Sequence, residues 1–104
     1  MSQQPSNIAI EHAEGAGRGE FFVERDNIRL AEMMYSRTAV RQISIVHTEV
    51  DEQLRGHGMA RRLLDTLVSW ARETDTRVLA TCRYAKAQFE KDVTIQDVYD
   101  GPLA

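Results

Sequence analysis

A run of β-branched residues meets a helical apolar repeat across two closely spaced glycines, and that junction restricts the possible folds more than any other stretch of the chain. Gln42–Val50 (QISIVHTEV) contains no Gly or Pro and suits a buried central strand. A break follows at Asp51-Glu52-Gln53-Leu54-Arg55-Gly56-His57-Gly58. From there the apolar period changes. Met59, Leu63, Leu67 and Ala71 fall on one i, i+4 row, and Ala60, Leu64 and Val68 fall on the adjacent row. Arg61, Arg62, Asp65, Ser69 and Arg72 occupy the other side, so the spacing predicts an amphipathic helix over Met59–Arg72. Thr74-Asp75-Thr76 ends the pattern and Arg77–Cys82 reads as the next strand. Strand, helix and strand at this spacing make a βαβ unit, which requires a right-handed crossover between roughly parallel strands.

Upstream, Ile8–His12 reads as an edge strand and Gly15–Gly19 as a loop. Phe21–Tyr35 reads as a β-hairpin turning at Asp26-Asn27, a pair that tolerates tight turns. Downstream, Tyr84–Lys91 sets Ala85, Ala87 and Phe89 among good helix formers and predicts a short helix. After Asp92 no pattern defines an element. Antiparallel hairpins followed by one βαβ unit give an α+β domain on a mixed, mostly antiparallel sheet, with a central amphipathic helix and a short C-terminal one. A chain of 104 residues has room for one core. The expectation is a single compact domain over residues 1–104, mobile at 1–6 and 96–104.

Charge narrows the function. Thirteen Lys and Arg against sixteen Asp and Glu leave a net charge of −3, so nothing global draws the chain to nucleic acid or to an anionic membrane. An anion site must be local, and one stands out. Arg55, His57, Arg61 and Arg62 crowd residues 53–62, where no carboxylate occurs. Gly56 and Gly58 let the backbone turn sharply and let a ligand approach, and a helix start there leaves several N–H groups without internal partners. With the helix dipole added, phosphate is the natural guest. A P-loop is excluded because Met59-Ala60 follows Gly58, and a dinucleotide fingerprint fails because Arg61 stands where a small residue is needed.

Cys82 is the single cysteine, so neither an intramolecular disulfide nor a thiolate-rich zinc site is available, and a reducing cytoplasm fits best. No apolar run approaches the roughly 18 residues of a membrane span, and the first residues are polar. His12, His47 and His57 are too scattered to form a metal set by spacing, so no metal is expected.

The β-branched strand, Gln53-Leu54-Arg55-Gly56-His57-Gly58-Met59-Ala60 and the amphipathic helix together resemble the acyl-CoA pyrophosphate loop of the GNAT N-acetyltransferase superfamily. More closely, His47-Thr48-Glu49-Val50 and Cys82-x-Tyr84 resemble a short, single-domain branch of acetyltransferase-like proteins, trimmed of N-terminal helices. The resemblance runs over roughly Phe21–Phe89, and Arg83 stands where close relatives often carry proline.

This resemblance implies a sheet splayed between Gln42–Val50 and the strand ending at Cys82, with pantetheine in the gap. Val50, Gln53, Leu54, Arg55, Gly56, His57, Gly58, Met59, Ala60 and Arg61 would bind the co-substrate acetyl-CoA, with the pyrophosphate on the amides of Arg55–Ala60. It further implies direct acetyl transfer, without a metal, to an unidentified amine acceptor, either a small molecule or a protein. Within that frame Cys82 either accepts an acetyl group transiently or is a small buried hydrophobe. Tyr84 either protonates the departing sulfur or packs. His47 and Glu49 share one side of their strand, which suits either to draw a proton from the amine through a water. The alternative reading is a non-enzymatic CoA-binding module or interaction domain. The oligomeric state is not written in these residues.

Overall fold

The computed structural model describes residues 8–101; the mobility expected of residues 1–6, and of 102–104 within 96–104, falls outside the described part. The elements run β1 (Glu11–Gly15), β2 (Arg18–Arg25), β3 (Ile28–Ala39), β4 (Gln42–Val50), a 3-10 turn (Glu52–Leu54), α1 (Met59–Glu73), β5 (Arg77–Ala80), α2 (Arg83–Lys91), a second 3-10 segment (Val93–Val98) and β6 (Tyr99–Gly101). All six strands form one sheet in chain order. β1 to β4 pair antiparallel, and β4, β5 and β6 run parallel.

Both early hairpins close through two residues in the left-handed region, Ala16 and Gly17 in the first and Asp26 and Asn27 in the second. Such turns carry the twist of the strands they join. The loop expected at Gly15–Gly19 therefore shrinks to a two-residue turn, and its flanks become strand. The edge strand lies at Glu11–Gly15 rather than Ile8–His12, because Ile8 is buried and its carbonyl accepts a hydrogen bond from the Arg62 guanidinium at 3.1 Å.

Of the two apolar rows expected on the helix, every member but Ala60 is buried in α1. They pack on Phe21, Val23, Met33, Tyr35, Ile43 and Ile45 of the sheet, all in one core cluster. Burial alternates along β2 and β3, the pattern of a sheet covered on one face and open on the other. Right-handed crossovers place α1 and α2 on the same covered face. Arg61 joins the two helices by donating to Gln88 at 2.8 Å and to Asp92.

After Asp92, where no sequence pattern defines an element, the chain forms the second 3-10 segment and then β6, which completes the sheet. Asp92 caps the second 3-10 segment by accepting the Thr94 N–H at 2.9 Å, and Ile95 and Val98 are buried. Tyr99 stacks on Phe89 with ring centroids 4.3 Å apart. Arg72 holds Asp97 and Arg77 holds Asp100, each at 2.8 Å. The two ion pairs join residues 25 and 23 positions apart, so no local periodicity signals them. Among the described residues no helix is long and apolar enough to cross a membrane.

Candidate active site

A bulge in β4 sets up the site. Met34 faces His47 while Tyr35 faces Ile45, so Val46 has no partner of its own on β3. On the other edge, pairing with β5 stops at Ile45–Ala80, and the N–H groups of Thr81 and Cys82 both donate to the Ile45 carbonyl at 3.0 Å. Beyond that point β4 continues along β3 alone while the chain after β5 turns into α2. The two strands thus form a fork. Cys82 stands at the N-cap of α2, 9% exposed, with its sulfur 3.2 Å from the Thr48 hydroxyl.

The glycine turn lies at the end of the same strand. Asp51 caps the short 3-10 turn through the Gln53 N–H at 2.9 Å, and Leu54 is buried beneath it. Gly56 and Gly58 follow with φ of 82° and 72°, a region that favours glycine. A Cβ at either position would meet nothing within 4 Å, so the space before the turn is open. The first bond of α1 runs from the Arg62 N–H to the Gly58 carbonyl, which leaves the amides of Met59, Ala60 and Arg61 without an acceptor inside the helix. No side chain caps that end and no acid stands in its first turn. An open backbone, free donors and the positive end of a helix dipole suit a phosphate group.

Val50 of β4, Leu54–Gly56 and Gly58–Arg61 of the turn, and Tyr84 of α2 line a groove of about 260 Å³ there. Gln53 and His57 are exposed and stand outside that lining. Arg55 folds back to donate to the Val50 carbonyl at 3.2 Å. Arg61 contributes to the lining while its guanidinium is held by Asp65 at 2.9 Å, by Gln88 and by Asp92. Thr94 and Arg61 together hold the Asp92 carboxyl at about 2. Burial pushes the Tyr84 hydroxyl above the usual tyrosine range, against a weaker downward pull from Arg61, so it keeps its proton at neutral pH.

His47 and Glu49 do share one side of β4, with His47 Nε2 3.2 Å from Glu49 Oε2. That side is the open face, opposite Thr48 and Cys82. A residue that spacing did not single out joins them there: Glu32, directly across the ladder from Glu49, with Oε2 3.7 Å from His47 Nε2. One ligand atom from each of the three lies within 4.8 Å of the others, a closeness that only the β3–β4 register creates. The other histidines are elsewhere. His12 stacks on Phe21 at 4.0 Å and meets the Tyr35 hydroxyl at 2.7 Å, and His57 is exposed in the glycine turn.

A mixed sheet that forks beside an uncapped helix start is a scaffold for a phosphate-bearing ligand whose other end enters the sheet. Comparison with known proteins makes the class specific. Residues 18–98 match the family model described as GCN5-related N-acetyl-transferase, and the chain belongs to that family. It is 36% identical to a GCN5-like protein from Staphylococcus aureus with a solution NMR structure, at a TM-score of 0.71 over 92% of this chain and 91% of that one. It is 30% identical over 83 residues to Protein NATD1 of Bos taurus, covering 79% of this chain and 72% of that protein. The ribosomal-protein-S18-alanine N-acetyltransferase of Escherichia coli shares the fold, with a TM-score of 0.59 at 16% identity over 74% of this chain and 52% of that one.

Proposed function

We propose that the chain is an acetyl-CoA-dependent N-acetyltransferase that serves an amine acceptor by direct transfer. The observation that carries this reading is the open glycine turn at the start of α1, continuous through one groove with Val50 and Tyr84 at the fork. Acetyl-CoA supplies the acetyl group and a thiol leaving group. The amides of Gly56–Arg61 hold its diphosphate, and β4 amides beyond Ile45, freed from β5, receive the thioester carbonyl oxygen as negative charge develops on it. Holding the thioester at the fork supplies proximity to the amine. Tyr84, protonated and beside the groove, donates to the departing sulfur. His47 and Glu49 take the amine's proton through a water on the open face. Cys82 packs against Thr48 and shapes the fork without carrying the acetyl group. Its lone, nearly buried thiol suits a reducing compartment such as the cytoplasm.

Acetyl-CoA at a hundred times its dissociation constant stabilises a native state that alone binds it by about 2.7 kcal/mol, a clear rise in melting temperature. The expected result is that rise together with repeated thiol release when an amine is added. A melt indifferent to acetyl-CoA removes the reading. Intact mass after incubation with acetyl-CoA distinguishes the chemistry: an acetyl adduct on wild type that is lost in Cys82→Ala replaces direct transfer by a covalent route. The uncovered sheet face also suits a module that binds acyl-CoA without turnover, and that reading predicts the rise in melting temperature with no thiol release for any amine.

A further inference from the structure

Two guanidinium side chains line the groove at the glycine turn, and the fold treats them differently. Arg55 meets only a neutral group among the described residues, the Val50 carbonyl at 3.2 Å. Arg61 crosses from the first turn of α1 to α2. Its Nε donates to Asp65 at 2.9 Å, one terminal nitrogen donates to Gln88 at 2.8 Å, and the other donates to Asp92. One positive charge thus faces two carboxylates, at the wall of a groove whose free amides suit an anion.

The two carboxylates are held in different ways. Asp65 lies four residues further along the same helix with its side chain 54% exposed, an ordinary surface pairing. Asp92 stands where α2 ends, and its side chain is 25% exposed. Its oxygens have separate partners: Oδ1 accepts the Thr94 N–H at 2.9 Å and the Thr94 hydroxyl at 2.6 Å, while Oδ2 accepts from Arg61. The Thr94 contacts tie the carboxylate to the backbone, so Arg61 is drawn toward an anchored partner. A diphosphate at the glycine turn then meets the main-chain amides directly, but it must compete with two aspartates for the Arg61 guanidinium.

We propose that Asp92, helped by Asp65, sets how firmly acetyl-CoA and the product CoA are held, by withholding the Arg61 guanidinium from the diphosphate. The inference rests on the acetyltransferase reading of the groove. Asp92 is a positioning residue that acts through Arg61, and diphosphate affinity comes from the amides of the turn and from Arg55. A restrained grip has a use. CoA carries the same diphosphate as acetyl-CoA and has to leave after every transfer, and in many enzymes product release limits turnover.

The full chain and its variants are titrated calorimetrically with CoA at low and high salt. Asp92→Asn removes the charge and keeps an oxygen for the Thr94 N–H, Asn being as good a capping residue as Asp. Its dissociation constant for CoA is expected to fall about threefold, the size of one partly screened charge contact, with a gain that shrinks as salt is raised. Loss of a merely structural contact has the opposite sign and weakens binding. In an Arg61→Gln background the gain from Asp92→Asn is expected to drop by at least half, because the guanidinium it releases is absent. If Asp92→Asn fails to fold, Asp65→Asn frees the same guanidinium from its exposed partner and is judged by the same signs. Equal or weaker CoA binding in the folded variant, a gain indifferent to salt, or a gain undiminished without Arg61 each overturn the role of Asp92 while acetyl-CoA binding by wild type stands. A wild-type chain that binds neither CoA nor acetyl-CoA overturns both.

Discussion

Tyr35 is held by two polar side chains of β1: its hydroxyl donates to Glu14 at 2.6 Å and meets His12 Nε2 at 2.7 Å. Arg37 completes the network by donating to Glu14 at 2.7 and 2.8 Å. The hydrogen bonds from Arg37, then from Tyr35, hold the Glu14 carboxyl at about 2 rather than its ordinary 4.5. A carboxyl depressed by folding stabilises the native state fully above its unfolded value and loses that contribution as pH falls toward the folded one. The melting temperature of wild type is therefore expected to drop between about pH 4.5 and 2. Glu14→Gln flattens that part of the profile; an unchanged slope in the variant rejects the assignment. Gly58 shows the opposite case, a residue whose importance lies in what is not there. A Cβ at Gly58 meets nothing within 4 Å, although φ there is 72°. Gly58→Val is expected to fold with strain of about 1–3 kcal/mol and to lose the rise in melting temperature on adding acetyl-CoA, because its methyls fill the approach to the free amides. Gly58 was legible in sequence because its turn and helix are local. Glu32 was not, because its partners come from another strand.

At the scale of elements, β4 depends on a single extra residue. The bulge at Val46 bends β4 where β5 leaves it, with Thr48 facing Cys82 across the fork and His47 and Glu49 facing the open side. Deleting Val46 would make Tyr35–Ile45 and Met34–His47 consecutive pairs, so the ladder runs on with every side chain from His47 to Val50 on its present face but without the local bend of the β4 backbone at the fork. The expected outcome is a protein that keeps the far-ultraviolet signal of α1 and loses its response to acetyl-CoA, with any thiol release reduced at least tenfold. A deletion variant with wild-type turnover would mean that the bulge does not orient the site. The strand and helix here were both legible, since β-branching and the i, i+4 rows are properties of contiguous residues. The bulge was not. It appears only when β4 is laid against β3, and a chain read alone carries no register.

For the whole molecule, the segment after Asp92 decides whether the parallel half of the sheet is finished. Ile95 and Val98 join the core, Tyr99 stacks on Phe89, and β6 covers the edge of β5. Ending the chain at Asp92 uncovers that edge and strands Arg72 and Arg77 without Asp97 and Asp100. Such a truncated chain is expected to lose its cooperative melt and to aggregate through the exposed strand. A two-state melt close to that of the full chain would show the segment to be dispensable. The sequence by itself determined the strand, the glycine turn and the amphipathic helix, because hydrophobic period and glycine's conformational freedom act over neighbouring residues. It also carried the resemblance that the family match bears out. Only the tertiary structure decided the fork, the pairing of Glu32 with His47 and Glu49, and the closing of the sheet by residues 93–101. Each of those depends on which distant strand lies alongside, and strand register is set by the packing of the whole core rather than by any one segment.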